Sequence, residues 1–203
     1  MPDSAAPFVP STDDVDELAE AASSCTGCDL YRDATQTVFG KGAPKARLML
    51  VGEQPGDVED RRGLPFVGPA GAVLWSCVEE AGIDRKDLFA TNAVKHFKHE
   101  VRGKRRIHQK PGTAEVQACH PWLEAEVAAV RPRVIVALGA TAARAVLGRN
   151  VGIAASRGVV HEAFGAEALV TYHPSAVLRA DERAAEVRAA LIEDLVRAKG
   201  LSR

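Results

Sequence analysis

ARLMLVGEQPGD, residues 46–57, is an apolar run that ends at a glycine and passes at once into a carboxylate, an amide and a Pro-Gly pair. A run of this length without polar alternation reads as a strand buried on both faces, and such strands belong to parallel sheets. Three other runs have the same character: LFATNAV (88–94), VIVALG (134–139) and ALVTYH (168–173). Helical patterns separate them. Ala70, Leu74, Cys77, Val78 and Ala81 recur at helical spacing, and a helix is predicted from about Thr113 to Val130, stopped by Arg131-Pro132. Two more are predicted in ATAARAVLG after Gly139 and in DERAAEVRAALIEDLVRAK. Strands alternating with helices predict an α/β protein with a four-stranded parallel sheet covered by helices.

With 203 residues, 46% of them hydrophobic and 26% charged, the chain is long enough to bury a core and is expected to fold as one domain spanning residues 1–203, with residues 1–11 flexible. The opening MPDSAAPFVPSTDDVDE is acidic and lacks the basic and apolar regions of a signal peptide, and no apolar run approaches membrane-spanning length. A soluble cytoplasmic protein is expected, without a membrane partner. No extended apolar interface is legible, so a monomer is expected. The net charge of -1 hides a local excess: between Lys95 and Lys110 seven Lys or Arg stand against the single acid Glu100. Cys25-Thr26-Gly27-Cys28 suits a metal or redox site better than a disulfide framework.

Ligands in open parallel sheets sit at the carboxyl ends of the strands, so GEQPGD, the end of TNAVKH, GAT and YHPS are predicted to line one cleft. Residues 95–112 show no apolar period and read as a long basic loop at that edge. Glu53 is either a carboxylate at the cleft floor, able to hold a cation, a water or a developing positive charge, or a turn residue before Pro55-Gly56. Asn92 offers one acceptor and two donors, enough to read a lactam edge such as that of uracil. Phe66, in LPFVGPAG, is a stacking wall for a flat base or a core residue. His173 is a donor to an anionic leaving group or a satisfied core histidine.

In combination, GEQPGD, GLPFVGPAG, TNAVK, a downstream cysteine, LG-x-x-A and YHPS-x-x-LR occur in an order that resembles the uracil-DNA glycosylase superfamily, and within it the iron-sulfur type, family 4, over roughly residues 25 to 197. The resemblance implies a three-layer αβα sandwich and a pocket for an extruded uracil. It implies that Glu53 steadies an oxocarbenium-like sugar or orients a water, that Gln54 and Asp57 line the mouth, that Phe66 stacks on the base and Asn92 reads its edge. His173 would stabilise the departing uracil anion, and Ser175 and Arg179 would grip the DNA backbone. The partner implied is uracil-containing DNA, single strands included.

Two departures stand out. The family's segment after the TN strand reads Lys-Cys-Arg-Pro-Pro, its cysteine a cluster ligand, whereas this chain reads Lys95-His96-Phe97-Lys98. Cys25, Cys28 and Cys119 match the family's spacing. The fourth ligand of a [4Fe-4S] cluster is expected to be His96, with Cys77 the rival; zinc would accept the same donors. The second departure is an insertion between the third and fourth ligands, GKRRIHQKP (103–111), which is similar to the UdgX group. This resemblance implies that His108 replaces water as the nucleophile and becomes covalently bonded to C1′ of the deoxyribose, while Lys104, Arg105 and Arg106 hold the DNA backbone. On the residues alone the same loop is a solvated basic patch gripping phosphates. A positioned imidazole outcompetes water through effective concentration, worth roughly 7 to 11 kcal/mol. An ordinary turnover glycosylase and a non-catalytic iron-sulfur or zinc DNA-binding module are the alternatives.

Overall fold

The computed structural model describes residues 4–203. In chain order its elements are α1 (Val15–Ala22), β1 (Lys41–Gly42), β2 (Leu48–Gly52), α2 (Asp57–Arg62), α3 (Pro69–Glu80), β3 (Leu88–Asn92), β4 (His99–Arg102), β5 (Arg105–His108), α4 (Thr113–Val130), β6 (Val134–Leu138), α5 (Ala140–Leu147), α6 (Ile153–Ser156), β7 (His161–Ala163), β8 (Ala166–Thr171), α7 (Pro174–Leu178) and α8 (Ala184–Leu201). The four expected strands form the parallel centre of the sheet, in the order β3-β2-β6-β8. Short antiparallel edges extend it to six strands, β1 beside β3 and β7 beside β8. Two- and three-residue edges carry no readable period, so they are additions to the expected four.

Every residue of β2, β3 and β6 is buried, because helices cover both faces. Alternate side chains divide between two cores. Met49, Val51, Phe89 and Ile135 pack with Leu18, Trp122, Leu123 and Ala142, which places α1, α4 and α5 on one face. Leu48, Leu50, Leu88 and Val136 pack with Leu74, Val78, Leu191 and Leu195, which places α3 and α8 on the other. The result is the αβα sandwich. Among the described residues no helix is long and apolar enough to cross a membrane.

Two expectations are corrected. Residues 5–8 are not free: Ala5 is buried, its N–H donates to the Ala118 carbonyl at 2.7 Å, and Ala6–Phe8 form a turn of 3-10 helix. Residues 1–3 lie outside the described residues. The basic insertion is not an irregular loop either, for β4 and β5 pair as an antiparallel hairpin with His99 opposite His108 and Arg102 opposite Arg105. Neither strand enters a core, so the hairpin lacks the apolar alternation that would announce it.

Candidate active site

The carboxyl ends of the parallel strands converge as expected. Gly52 and Asn92 end β2 and β3 side by side in register. A Cβ on Gly52 would lie 2.3 Å from Asn92 Oδ1 and 2.7 Å from the Phe66 ring, so the missing side chain is what lets this amide and this ring share one space. Phe66 is held there by the Trp75 indole, which donates to its carbonyl at 2.8 Å and packs edge-on against its ring. Its φ of 55° is unusual for a bulky residue and is sustained by those contacts. A flat ring beside an amide with both acceptor and donors is the pair of groups that recognition of a nucleobase requires.

Glu53, the next residue after β2, is the hub of the cleft. Its Oε1 lies 3.3 Å from His108 Nε2 at the end of β5, and its Oε2 accepts from the Thr141 hydroxyl at the start of α5. Burial alone would raise its pKa, but the bonds from His108 and Thr141 and the neighbouring His108 and His173 outweigh that and hold it below the ordinary value. An ionised carboxylate only accepts, so it is Nε2–H of His108 that faces it.

His173 begins α7 after β8. The Ser175 N–H donates to its Nδ1 at 3.1 Å, so the neutral ring carries its proton on Nε2. Burial, reinforced by Arg179 and His108 against the opposing Glu53, pushes its pKa down to about 4. At neutral pH it is therefore a neutral N–H donor. Ser175 Oγ lies 2.7 Å from the same Nδ1, which turns this hydroxyl toward the histidine, while Arg179 is exposed.

The hairpin is fastened by two side chains. Gln54 Nε2 donates to the carbonyls of Lys98 and Gln109 at 3.1 and 3.0 Å, and its Oε1 accepts from Lys98 N–H, so one amide ties both hairpin strands to the end of β2. Arg106 Nε meets Asp57 Oδ1 at 2.5 Å, and its Nη1 meets Asp60 Oδ2 at 2.6 Å and Thr35 Oγ1 at 3.0 Å. Arg106 is thus directed inward onto α2, in place of the DNA-backbone role expected of it. Gln54 and Asp57, expected at the mouth, serve the same anchorage. Lys104 and Arg105 are exposed. Arg106 and His108 lie two residues apart on one strand and so share a face, and Phe97 packs beneath it: 5.4 Å from the Arg106 guanidinium, 6.2 Å from the His108 ring, and stacked on His99 at 4.9 Å.

A second constellation lies under the first core. Cys25 and Cys119 are buried there and Cys28 is packed against it, whereas Cys77 lies in the core across the sheet. All four cysteines are free thiols. The Trp122 indole donates to Cys25 Sγ at 3.2 Å and Lys95 N–H to Cys119 Sγ at 3.3 Å. Burial raises both Cys28 and Cys119, the latter to about 12, and the neighbouring Cys25 adds to each shift. A metal centre would have to take their protons. Thr37 Oγ1 donates to the Ala22 carbonyl, so His96 Nε2, 2.9 Å away, must donate to Thr37; burial pushes His96 down to about 4, which leaves a neutral ring with its lone pair on Nδ1. Three soft thiols and one such imidazole fit the donor chemistry of an iron-sulfur centre. Among the described residues no three His, Cys, Asp or Glu converge on the position of one metal ion.

Sequence reasoning did not single out Thr141, nor the buried Lys95–Glu126 pair at 2.7 Å, through which Lys95 Nζ also donates to the Asn92 carbonyl at 2.6 Å. The signals were the place of Thr141 in GAT, directly after a predicted strand, and the polar Glu126 in the otherwise apolar end of LEAEVAAV.

Several known proteins resemble this chain in sequence. Residues 39–196 match the uracil DNA glycosylase superfamily. A type-4 uracil-DNA glycosylase of Thermotoga maritima is 38% identical over 184 residues, 90% of this chain and 91% of its own length. One of Pyrobaculum aerophilum is 36% identical over 174 residues, 82% of this chain and 85% of its own. A type-5 uracil-DNA glycosylase of the same organism is 34% identical over 169 residues, 72% of this chain and 71% of its own.

Proposed function

The chain belongs to the uracil-DNA glycosylase superfamily, and from that premise we propose that it excises uracil from DNA and remains bonded, through His108, to C1′ of the deoxyribose it has opened. The observation that carries this reading is the seating of His108: a histidine on an inserted hairpin, anchored by Gln54 and Arg106, with its ring 3.3 Å from Glu53 in the same cleft as Asn92, Phe66 and His173. A solvated phosphate-gripping patch has no need of such an anchor.

Each residue then has a role. Phe66 and Asn92 hold an extruded uracil by its face and its edge. The C1′–N1 bond breaks with its electron pair going to uracil, and the neutral His173 donates a hydrogen bond to the oxygen where that charge gathers. Glu53 stabilises the positive charge on the sugar. A ring nitrogen of His108 gives its lone pair to C1′, forming an imidazolium that sheds a proton, and uracil takes up one proton in exchange. The product is an alkylated imidazole with a poor leaving group, so the protein acts once. Exposed Lys104, Arg105 and Arg179 supply cations for the DNA backbone. Cys25, Cys28, Cys119 and His96 are assigned to a [4Fe-4S] cluster that clamps the N-terminal segment to α4. Cys77, in the core across the sheet, is set aside.

Incubating the protein with a single-stranded oligonucleotide carrying one uracil, then denaturing it in detergent, separates the readings. A shifted band that is absent for His108→Ser, with that variant releasing uracil by admitting water, is the expected result. Uracil release and alkali-labile strands without a shift would instead mark a turnover glycosylase. Salt-sensitive binding without either product would mark a binding module. For the cluster, anaerobically purified protein is expected to show sulfur-to-iron absorption and bound iron. Both should survive in His96→Cys and Cys77→Ala and be lost in Cys119→Ala; zinc in place of iron would refute the assignment.

A further inference from the structure

The turn from β6 into α5, Gly139-Ala140-Thr141, touches two of the groups that the proposed reaction needs. Thr141 is buried, and its hydroxyl donates to Glu53 Oε2, leaving Oε1 for His108. Gly139 has a φ of 87°, and a Cβ there would come 2.9 Å from His173 Cβ, so the turn approaches His173 more closely than any side chain would allow. α5 starts at this turn, and the unpaired N–H groups of a helix start favour a carboxylate beside them. The groups facing Glu53 are therefore His108 from the hairpin, His173 from the start of α7 and Thr141 from α5.

We propose that Thr141 is a positioning residue for the reaction: its hydroxyl holds one oxygen of Glu53 so that the other stands toward His108 and the sugar. The inference rests on the function proposed above. A hydroxyl is the appropriate device, because it fixes the direction of a carboxylate without neutralising it. A cation in its place would compete with the positive charge that the carboxylate is there to stabilise. Thr141 donates its single proton, so replacing it with valine keeps the shape, removes the donor and leaves Oε2 without that partner. Glu53 should then hold its proton to higher pH.

The test follows the side-chain carboxyl resonance of Glu53 through an acid titration in wild type, Thr141→Val, Thr141→Ala and Thr141→Ser, with Glu53→Gln assigning the signal. Single-turnover uracil release from a one-uracil oligonucleotide is measured on the same samples. Valine and alanine are expected to raise the Glu53 midpoint by about one pH unit and to move the acid limb of the rate with it, a rate about tenfold lower at any pH on that limb. Serine, which restores the donor, should behave as wild type. A midpoint unmoved by valine and alanine overturns the proposal, as does a moved midpoint with an unmoved acid limb, or a serine variant that behaves like valine. Wild type releasing no uracil at any pH overturns the proposed function itself, and the positioning role with it.

Discussion

At the scale of single residues, the site assigns proton positions before any substrate arrives. Glu53 is a carboxylate, so His108 presents Nε2–H to it; Ser175 N–H occupies Nδ1 of His173, so that ring presents Nε2–H; Thr37 Oγ1 accepts from His96 Nε2–H, which leaves the lone pair of that ring on Nδ1. His173 also leaves a mark on stability. In the unfolded chain it takes up a proton near the ordinary 6.5, but in the folded protein only near 4. As pH falls through that window the unfolded state binds the proton first, so stability is full above about 6.5, declines toward 4 and is flat in this component below it. Urea midpoints measured at pH 7 and at about pH 5 are expected to differ more for wild type than for His173→Gln. Equal differences would place His173 in a solvated setting instead.

At the scale of elements, the hairpin is the part that distinguishes the site, and its anchor is Arg106. Asp60, the deeper of its two partners, is fully buried. Arg106→Ala leaves that carboxylate with only the Thr35 N–H, at 3.0 and 3.1 Å to its two oxygens. The variant is expected to lose about 3 kcal/mol in urea unfolding and to exchange amide hydrogens faster over residues 99–108 and to form adduct more slowly, while DNA affinity at low salt changes little. Unchanged exchange with weakened DNA binding would return Arg106 to the phosphate-binding role read from the sequence. The reason for that misreading is instructive. Arg106 stands in a run of cations, and the acids that claim it lie 49 and 46 residues earlier. Only the folded chain brings α2 under β5. The strands β2 and β6, by contrast, were legible because each is buried on both faces and reads as an unbroken apolar run. The hairpin buries neither strand in a core and left no such trace, and the edges β1 and β7 are too short to show one.

At the scale of the whole molecule, the fold separates two groups of side chains that the sequence interleaves. Glu53, Asn92, Thr141 and His173 reach the cleft from the ends of four neighbouring strands, while Cys25, Cys28 and Cys119 lie to one side with α1 and α4. Lys95 spans the two: its N–H donates to Cys119 Sγ, and its ammonium holds the Asn92 carbonyl and the Glu126 carboxylate, all out of contact with water. The placement of Glu53 and Asn92 could be inferred from their positions after strands. The sharing of His108 with that cleft could be inferred only through a resemblance, since the hairpin's path is a property of the folded chain. The most direct measurement is the intact mass of the denatured protein after incubation with an oligonucleotide bearing one uracil, followed by mapping of the modified peptide. The expected mass is that of protein plus oligonucleotide less one uracil, with the bond on the peptide that contains His108. Unmodified protein beside an oligonucleotide that has lost its uracil, or an adduct on any other residue, would contradict the assignment of His108 as the nucleophile.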